Sequence, residues 1–280
     1  MRADLHVHSS ASDGTDPPAE VMQRAAGAGL DVVALTDHDT TDGHAAARAS
    51  RPALLTLVPG MELSCLLDGR SLHLLAYLFD PHYPELATET QRIRDDRVLR
   101  AQAMVERLIG LGVPISWDQV AAIAGPAVVG RPHIAQAMVA SGAIAATGQA
   151  FTLDWIADGG RAYVTRYALD PVRAIGLVRA AGGVAVLAHP RADRALLVSD
   201  EQIAGLAAAG LAGVEVFHPD HPAAVQADLL GLAGQLGLLA TGGSDDHGRL
   251  TGHRIGSHTT PAEAYEALIA QADGTAQPRP

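Results

Sequence analysis

The chain has 280 residues, 48% of them apolar, which suffices for one large domain or one domain with an insert. Its formal net charge of −11 argues against a broad electrostatic grip on duplex DNA, and no apolar run approaches the roughly 18–20 residues of a membrane span. All 20 basic residues are arginine, which excludes a Schiff-base lysine, a pyridoxal lysine and a P-loop lysine.

Apolar runs alternate with helical patterns, so the chain predicts successive strand-helix units and a parallel sheet. Strands are expected near residues 3–7, 31–36, 54–61, 72–79, 184–188, 212–217 and 237–241, with a short eighth near 254–258. Several are apolar at nearly every position, as in Val32-Val33-Ala34-Leu35 and Val184-Ala185-Val186-Leu187. Strands covered on both faces have that character. Asp16, Asp170 and Thr260 each stand before proline and read as helix N-caps, Ser199 to Gln202 as a capping box, and Ser116 as a further cap. The order breaks after the fourth strand, where residues 91–165 carry helical patterns and no strand-plus-ligand motif. This stretch is expected to be a helical insertion over the mouth of a barrel formed by residues 1–90 and 166–273. The tail, residues 274–280, reads as flexible. A single cysteine permits no internal disulfide, and Met1-Arg2-Ala3-Asp4 shows no basic segment followed by an apolar one; both point to a reducing cytoplasm.

The polar motifs that end these runs carry the chemistry. They are Asp4-Leu5-His6-Val7-His8, Thr36-Asp37-His38-Asp39, Gly60-Met61-Glu62, Leu72-His73-Leu74, Ala188-His189-Pro190 and Gly243-Ser244-Asp245-Asp246-His247. In a barrel of parallel strands the strand C-termini converge on one rim, so ligands far apart in sequence can meet there. In His6-Val7-His8 the two imidazoles lie two residues apart and face the same side. Asp13 follows in the loop. Burying so many imidazoles and carboxylates around one mouth is costly unless they coordinate a cation. Neutral imidazole and carboxylate are ligands of Mn, Fe and Zn. Asp37, Asp39 and Asp246 adjoin the ligands and are expected to fix imidazole tautomers. His44, His82, His221, His253 and His258 stand alone and read as ordinary core or surface residues, and Cys65 as a residue packed behind Glu62.

The ordered set of motifs resembles the PHP (polymerase and histidinol phosphatase) family over nearly the whole chain. The resemblance implies a distorted (β/α)7 TIM-like barrel, a trinuclear metal centre and phosphoesterase activity. It implies that His6, His8, Glu62 and Asp245 hold a first ion, that Glu62 bridges to a second held with His73 and His189, and that Asp13, His38 and His247 hold a third. Two or three divalent ions are expected, with Mn2+ placed ahead of Fe2+ and Zn2+. The insertion with Gly130-Arg131-Pro132-His133 and the segment Glu215-Val216-Phe217-His218 resemble the branch of 3′,5′-nucleoside bisphosphate phosphatases and 5′→3′ exonucleases on short RNA. That likeness assigns Arg131 and His218 to substrate phosphate, His133 beside Arg131 is a further candidate contact, and Arg131 and His218 are also expected to serve catalysis. An arginine fork suits a phosphate bidentately.

The expected reaction is removal of the 3′-phosphate from a nucleoside 3′,5′-bisphosphate by direct attack of an ion-activated water, with no covalent phosphoenzyme. The partner is then a small phosphorylated substrate, a nucleotide. Two alternatives stand beside it: a 5′→3′ exonuclease acting on short RNA or DNA oligonucleotides, and, from another class, a non-catalytic metal-bound regulatory module. A histidinol-phosphate phosphatase and a polymerase proofreading domain rank below these.

Overall fold

A computed structural model describes residues 1–125, 129–192 and 197–272, so the tail at residues 274–280 lies outside the described residues. The chain divides into two units. One comprises Met1–Thr90 and the chain from Leu169 onward, and the other is Gln91–Ala168.

In the first unit the strands are β1 (Ala3–Val7), β2 (Val32–Leu35), β3 (Thr56–Leu67), β4 (Arg70–Tyr77), β5 (Val184–Leu187), β6 (Gly213–Phe217) and β7 (Leu239–Gly242). They lie side by side in sequence order in a seven-stranded sheet. The sheet nearly closes on itself. Val7 bridges Asp246 in parallel register, the Asp245 N–H donates to the His6 carbonyl at 2.8 Å, and the His8 N–H donates to the Asp246 carbonyl at 2.9 Å. This is the distorted (β/α)7 barrel that the motifs imply.

The sheet is not all parallel, and here the sequence reading is corrected. β1, β2 and β3 run parallel, as do β5, β6 and β7, but β4 is antiparallel to both of its neighbours. The cause is local. Only Asp68 and Gly69 separate β3 from β4, both with positive φ (51° and 76°). A two-residue loop of this kind closes a hairpin, whereas a parallel crossover needs a dozen residues or more. The expected eighth strand near 254–258 does not form either. Beyond it, Thr260 makes an isolated antiparallel bridge to Ala3.

The first unit also carries α1 (Pro18–Gly27), α2 (His44–Ser50), the start of α3 (Pro84–Gly110), and, past the second unit's α4 (Trp117–Ala124) and α5 (Arg131–Ala140), the helices α6 (Pro171–Ala180), α7 (Asp200–Ala208), α8 (Ala223–Leu236) and α9 (Ala262–Gln271). Strand alternation sends Val33 and Leu35 of β2 into a cluster with Val21, Met22 and Ala25 of α1 and Ala47 of α2. Val32 and Ala34 turn the other way and join Leu5, Val58, Leu75 and Tyr77. The Asp170 and Ser199 caps form as read. Asp16 and Thr260 do not cap. Pro17 and Pro261 occupy those N-cap positions, Asp16 pairs with Arg24 at 2.6 Å, and the Thr260 hydroxyl donates to the Gly242 carbonyl at 2.7 Å.

The second unit is helical and has its own core, with Met104 and Leu108 of α3, Val120 of α4, Ile134 and Met138 of α5, and Ile156. Ser116 caps α4 in a full capping box with Gln119. Among the described residues, no helix is long and apolar enough to cross a membrane.

Candidate metal centre

The site grows out of strand geometry. His6 and His8 fall on one face of the β1 end, and the ring of His6 is fully buried. β7 delivers its loop against the same point. A Cβ on Gly243 would lie 2.4 Å from the His6 Cβ, so only glycine permits this approach. Because β4 is reversed, the half of it that carries His73 sits beside the end of β3, and His73 is paired in register with Ser64. An antiparallel strand thus brings its ligand to the rim from near its start.

Glu62 is the hub. Its Oε1 lies 2.8 Å from His73 Nδ1 and 3.0 Å from His189 Nε2. Its Oε2 lies 3.2 Å from His6 Nε2, 3.0 Å from His8 Nε2 and 3.3 Å from His38 Nδ1. One carboxylate therefore faces five imidazole nitrogens, more than its roughly four lone-pair sites can serve as hydrogen bonds. Asp245 Oδ1 joins them, 3.5 Å from His6 Nε2 and 3.4 Å from His8 Nε2. Asp13 and His247 complete the far side, 3.2 Å apart.

Donor atoms gather into three sets whose members all lie within 4.8 Å of one another: His6, His8, Glu62 and Asp245; His38, Glu62 and His73; and His8, Asp13, His38 and His247. All nine residues singled out in the sequence come together here. The first set is the one the family resemblance implies. The other two share His38 and His8 with their neighbours, and His189 enters through Glu62. Buried Nδ1 atoms on His8 and His38 have no hydrogen-bond partner. The His6 and His8 Nε2 atoms lie only 3.1 Å apart. Buried imidazole nitrogens left without hydrogen-bond partners among carboxylates are what a divalent cation satisfies, and the donor types suit Mn, Fe or Zn.

The electrostatics are those of coupled acids and bases. Burial works against the carboxylates of Glu62, Asp13 and Asp245, yet the surrounding imidazoles hold all three well below the usual carboxylate range. Burial also disfavours the His8 imidazolium, but hydrogen bonds to Asp245 and Glu62 outweigh it and push that ring up to about 10 without a cation. Burial takes His38 down to about 3, so its ring is neutral and able to act as a ligand.

The carboxylates beside the ligands bond to loop backbone and hydroxyl groups. Asp37 accepts from the Ser9 N–H at 2.8 Å and the Ser9 and Ser12 hydroxyls, both at 2.7 Å. Asp39 accepts from the Ser64 N–H and hydroxyl, both at 2.7 Å. Asp246 binds the Gly248 and Arg254 N–H groups and the Thr251 hydroxyl. Each fastens a loop. A carboxylate outside the nine that reaches a metal-set imidazole is Glu215 of β6, which enters the sequence reading within the Glu215–His218 segment without a role of its own. Its Oε1 lies 3.0 Å from His6 Nδ1, and its Oε2 accepts the His189 N–H at 2.8 Å. The available signal was a lone glutamate in Gly213-Val214-Glu215-Val216-Phe217, a strand too apolar to hold a carboxylate without a partner.

His218, just past β6, is 1% exposed, with Nε2 3.4 Å from Asp245 Oδ2. Its Nδ1 accepts the Asp220 N–H at 3.0 Å, which leaves the proton of the neutral ring on Nε2, facing the site. Within the second unit, Arg131 opens α5 and pairs with Asp158 at 2.6 Å and with the Ile156 carbonyl at 3.2 Å. His133 Nδ1 accepts the Gly130 N–H at 3.0 Å, so this ring closes the start of α5. Arg191 pairs with Asp200 and Asp228.

A match to the PHP domain covers residues 4–112. A 3′,5′-nucleoside bisphosphate phosphatase from Chromobacterium violaceum is 34% identical over 260 residues, 91% of this chain and 90% of that one. The chain belongs to the PHP domain family. A 5′-3′ exoribonuclease from Haemophilus influenzae is 36% identical over 188 residues, 67% of this chain and 68% of the relative. Among solved structures, a protein from Bifidobacterium adolescentis described as a metal-dependent phosphoesterase superposes with a TM-score of 0.89 at 34% identity, covering 98% of this chain and 97% of its own. This PHP chain thus shares fold and family with proteins that cleave phosphate esters.

Proposed function

We propose that this PHP protein is a metal-dependent phosphoesterase that removes the 3′-phosphate of a nucleoside 3′,5′-bisphosphate. The observation that carries the reading is Glu62, one buried carboxylate ringed by five imidazole nitrogens and flanked by Asp13 and Asp245. The substrate rests on the Chromobacterium relative, which matches this chain along nine-tenths of its length. The centre holds two or three divalent ions, Mn2+ foremost, with Fe2+ or Zn2+ as alternatives, on His6, His8, Asp13, His38, Glu62, His73, His189, Asp245 and His247. When bound, such ions acidify a water toward neutral pKa and take up charge on phosphate oxygens. The chain's own groups then orient and protonate. His218 presents an Nε2–H beside Asp245, placed to donate to the leaving alkoxide. Arg131 is assigned to a substrate phosphate, with His133 holding the turn from which it projects. The single cysteine suits a reducing compartment, and we assign the reaction to the cytoplasm.

The second reading is a 5′→3′ exonuclease on short single-stranded RNA or DNA, favoured by the 36% identity to the Haemophilus exoribonuclease. A panel of adenosine 3′,5′-bisphosphate, 5′-phosphorylated short RNA, histidinol phosphate and p-nitrophenyl phosphate, run with the Mn2+-loaded protein, separates the two. Inorganic phosphate and AMP from the bisphosphate, with slower release of mononucleotides from RNA, is the expected result. Efficient RNA trimming with an inert bisphosphate selects the second reading. A fully loaded protein that cleaves nothing removes both.

A further inference from the structure

We propose that Glu215 is a positioning residue that pins the His6 proton to Nδ1 and holds the His189 backbone, so that one carboxylate aims ligands on both oxygens of Glu62. The inference rests on the metal-centre reading above. Glu215 is fully buried in a strand whose other side chains are apolar, and a carboxylate there is costly unless both oxygens are used. Both are. Oε1 meets His6 Nδ1 at 3.0 Å, and Oε2 accepts the His189 N–H at 2.8 Å.

An ionised carboxylate can only accept, so the proton of the His6 contact sits on Nδ1. That leaves Nε2 as the nitrogen a cation would take, 3.2 Å from Glu62 Oε2 and 3.5 Å from Asp245 Oδ1. His189 has φ +26°, a left-handed conformation that a side chain disfavours, and its N–H points at Glu215. Its Nε2 then reaches Glu62 Oε1 at 3.0 Å. The His6 and His189 rings stack with centroids 5.7 Å apart and planes 17° apart, His6 tethered to Glu215 through its ring and His189 through its backbone, and each ring is aimed at a different oxygen of Glu62. A glutamine here has one acceptor and one donor. Either its NH2 faces His6 Nδ1 and drives the proton onto Nε2, where a cation must bind, or it opposes the His189 N–H.

The test uses the full-length protein. In zinc-loaded, 15N-histidine-labelled wild type, His6 should show a protonated Nδ1 and a bare, zinc-bound Nε2. Glu215→Gln should lower Zn2+ affinity by about 10–100-fold, the range for residues that support metal ligands. In the ion-free protein, Glu215→Ala should speed amide exchange at His189 about tenfold, the effect of losing one hydrogen bond. A His6 with bare Nδ1, a Glu215→Gln variant that binds Zn2+ as tightly as wild type, or unchanged exchange at His189 overturns the proposal. A wild type that binds no divalent ion sinks the metal-centre reading, and the exchange measurement still decides the backbone half.

Discussion

His73 Nδ1 lies 2.8 Å from Glu62 Oε1 although the two residues are not register partners. Glu62 pairs with Leu75 and His73 with Ser64, so the contact is a diagonal one between residues on the same face of the β3–β4 ladder. The reversal of β4 makes this diagonal possible. Glu62 therefore has one oxygen toward His73 and His189 and the other toward His6, His8 and His38. Glutamine at this position keeps the shape but loses an oxygen and the charge. Glu62→Gln should lower kcat by more than the 10–100-fold typical of residues that only support ligands. Metal content by elemental analysis should fall with it. Full occupancy with wild-type turnover would show that the hub is not Glu62.

Asp39 offers a stability test separate from chemistry. It sits at φ +54°, fully buried, and ties Ser64 beside the hub through two 2.7 Å contacts. Asp39→Ala removes a charged acceptor from a buried N–H and a buried hydroxyl and puts alanine in a left-handed position, a loss of about 2–4 kcal/mol. Asp39→Asn tolerates that backbone and can still bond both Ser64 groups, so its cost should be about 1 kcal/mol. Denaturant midpoints of the two variants, both in chelator, check the order. Equal losses would show that the carboxylate itself, which both variants remove, sets the cost, rather than backbone strain or the remaining hydrogen bonds.

Much of this was legible because strand geometry has a short period. His6-Val7-His8 declares one face by spacing alone, and Gly243-Ser244-Asp245-Asp246-His247 declares a rim loop. The antiparallel β4 is also written in the chain, as Asp68-Gly69 between two apolar runs, a hairpin signal set within an otherwise uniform strand-helix pattern. Glu215 was harder. Its partners His6 and His189 lie 209 and 26 residues away, and no spacing rule links a lone buried carboxylate to them. Asp37, Asp39 and Asp246 adjoin ligands in sequence but turn toward backbone N–H groups, serines and a threonine, because neighbours in a tight loop rarely point the same way. Asp16 and Thr260 resembled caps, yet the proline after each took the N-cap position.

His44 makes one contribution to the pH dependence whose sign is definite. Its Nε2 lies 2.8 Å from the Gly60 carbonyl and 3.3 Å from that of Leu35, and burial lowers its pKa from 6.5. Below pH 6.5 the unfolded chain takes up a proton that the folded ring resists, so this contribution to stability is lost as the pH falls. His44→Gln removes the titration and keeps an N–H donor. Its denaturation midpoint, followed in ion-free protein from about pH 7.5 to 5.5, should decline less steeply than that of wild type. Parallel curves would exclude His44 as a source of acid sensitivity.

Arg131 can be separated from its own salt bridge. If its guanidinium binds a substrate phosphate, Arg131→Ala should raise KM for adenosine 3′,5′-bisphosphate about tenfold or more, the worth of one charge-assisted contact. KM for p-nitrophenyl phosphate, which has one phosphate, should change little. Asp158→Asn breaks the 2.6 Å pair and leaves the arginine in place. It should leave both KM values near wild type. An Asp158→Asn protein that reproduces the Arg131→Ala kinetics would reduce Arg131 to a structural role in the second unit.

The role of His218 turns on the leaving group. The Asp220 N–H occupies Nδ1, so the only proton the neutral ring can deliver is on Nε2, 3.4 Å from Asp245 Oδ2. A ribose alkoxide leaves poorly unless it is protonated, whereas p-nitrophenolate leaves readily as an anion. General acid catalysis contributes about 10²–10⁴-fold where it is needed. His218→Gln should therefore cut kcat on adenosine 3′,5′-bisphosphate within that range and change kcat on p-nitrophenyl phosphate by less than about tenfold. Glutamine retains a donor for Asp245 but cannot release a proton, so loss of ligand orientation is not mimicked. If both substrates slow equally, His218 acts by orienting Asp245, and the alkoxide takes its proton from another group.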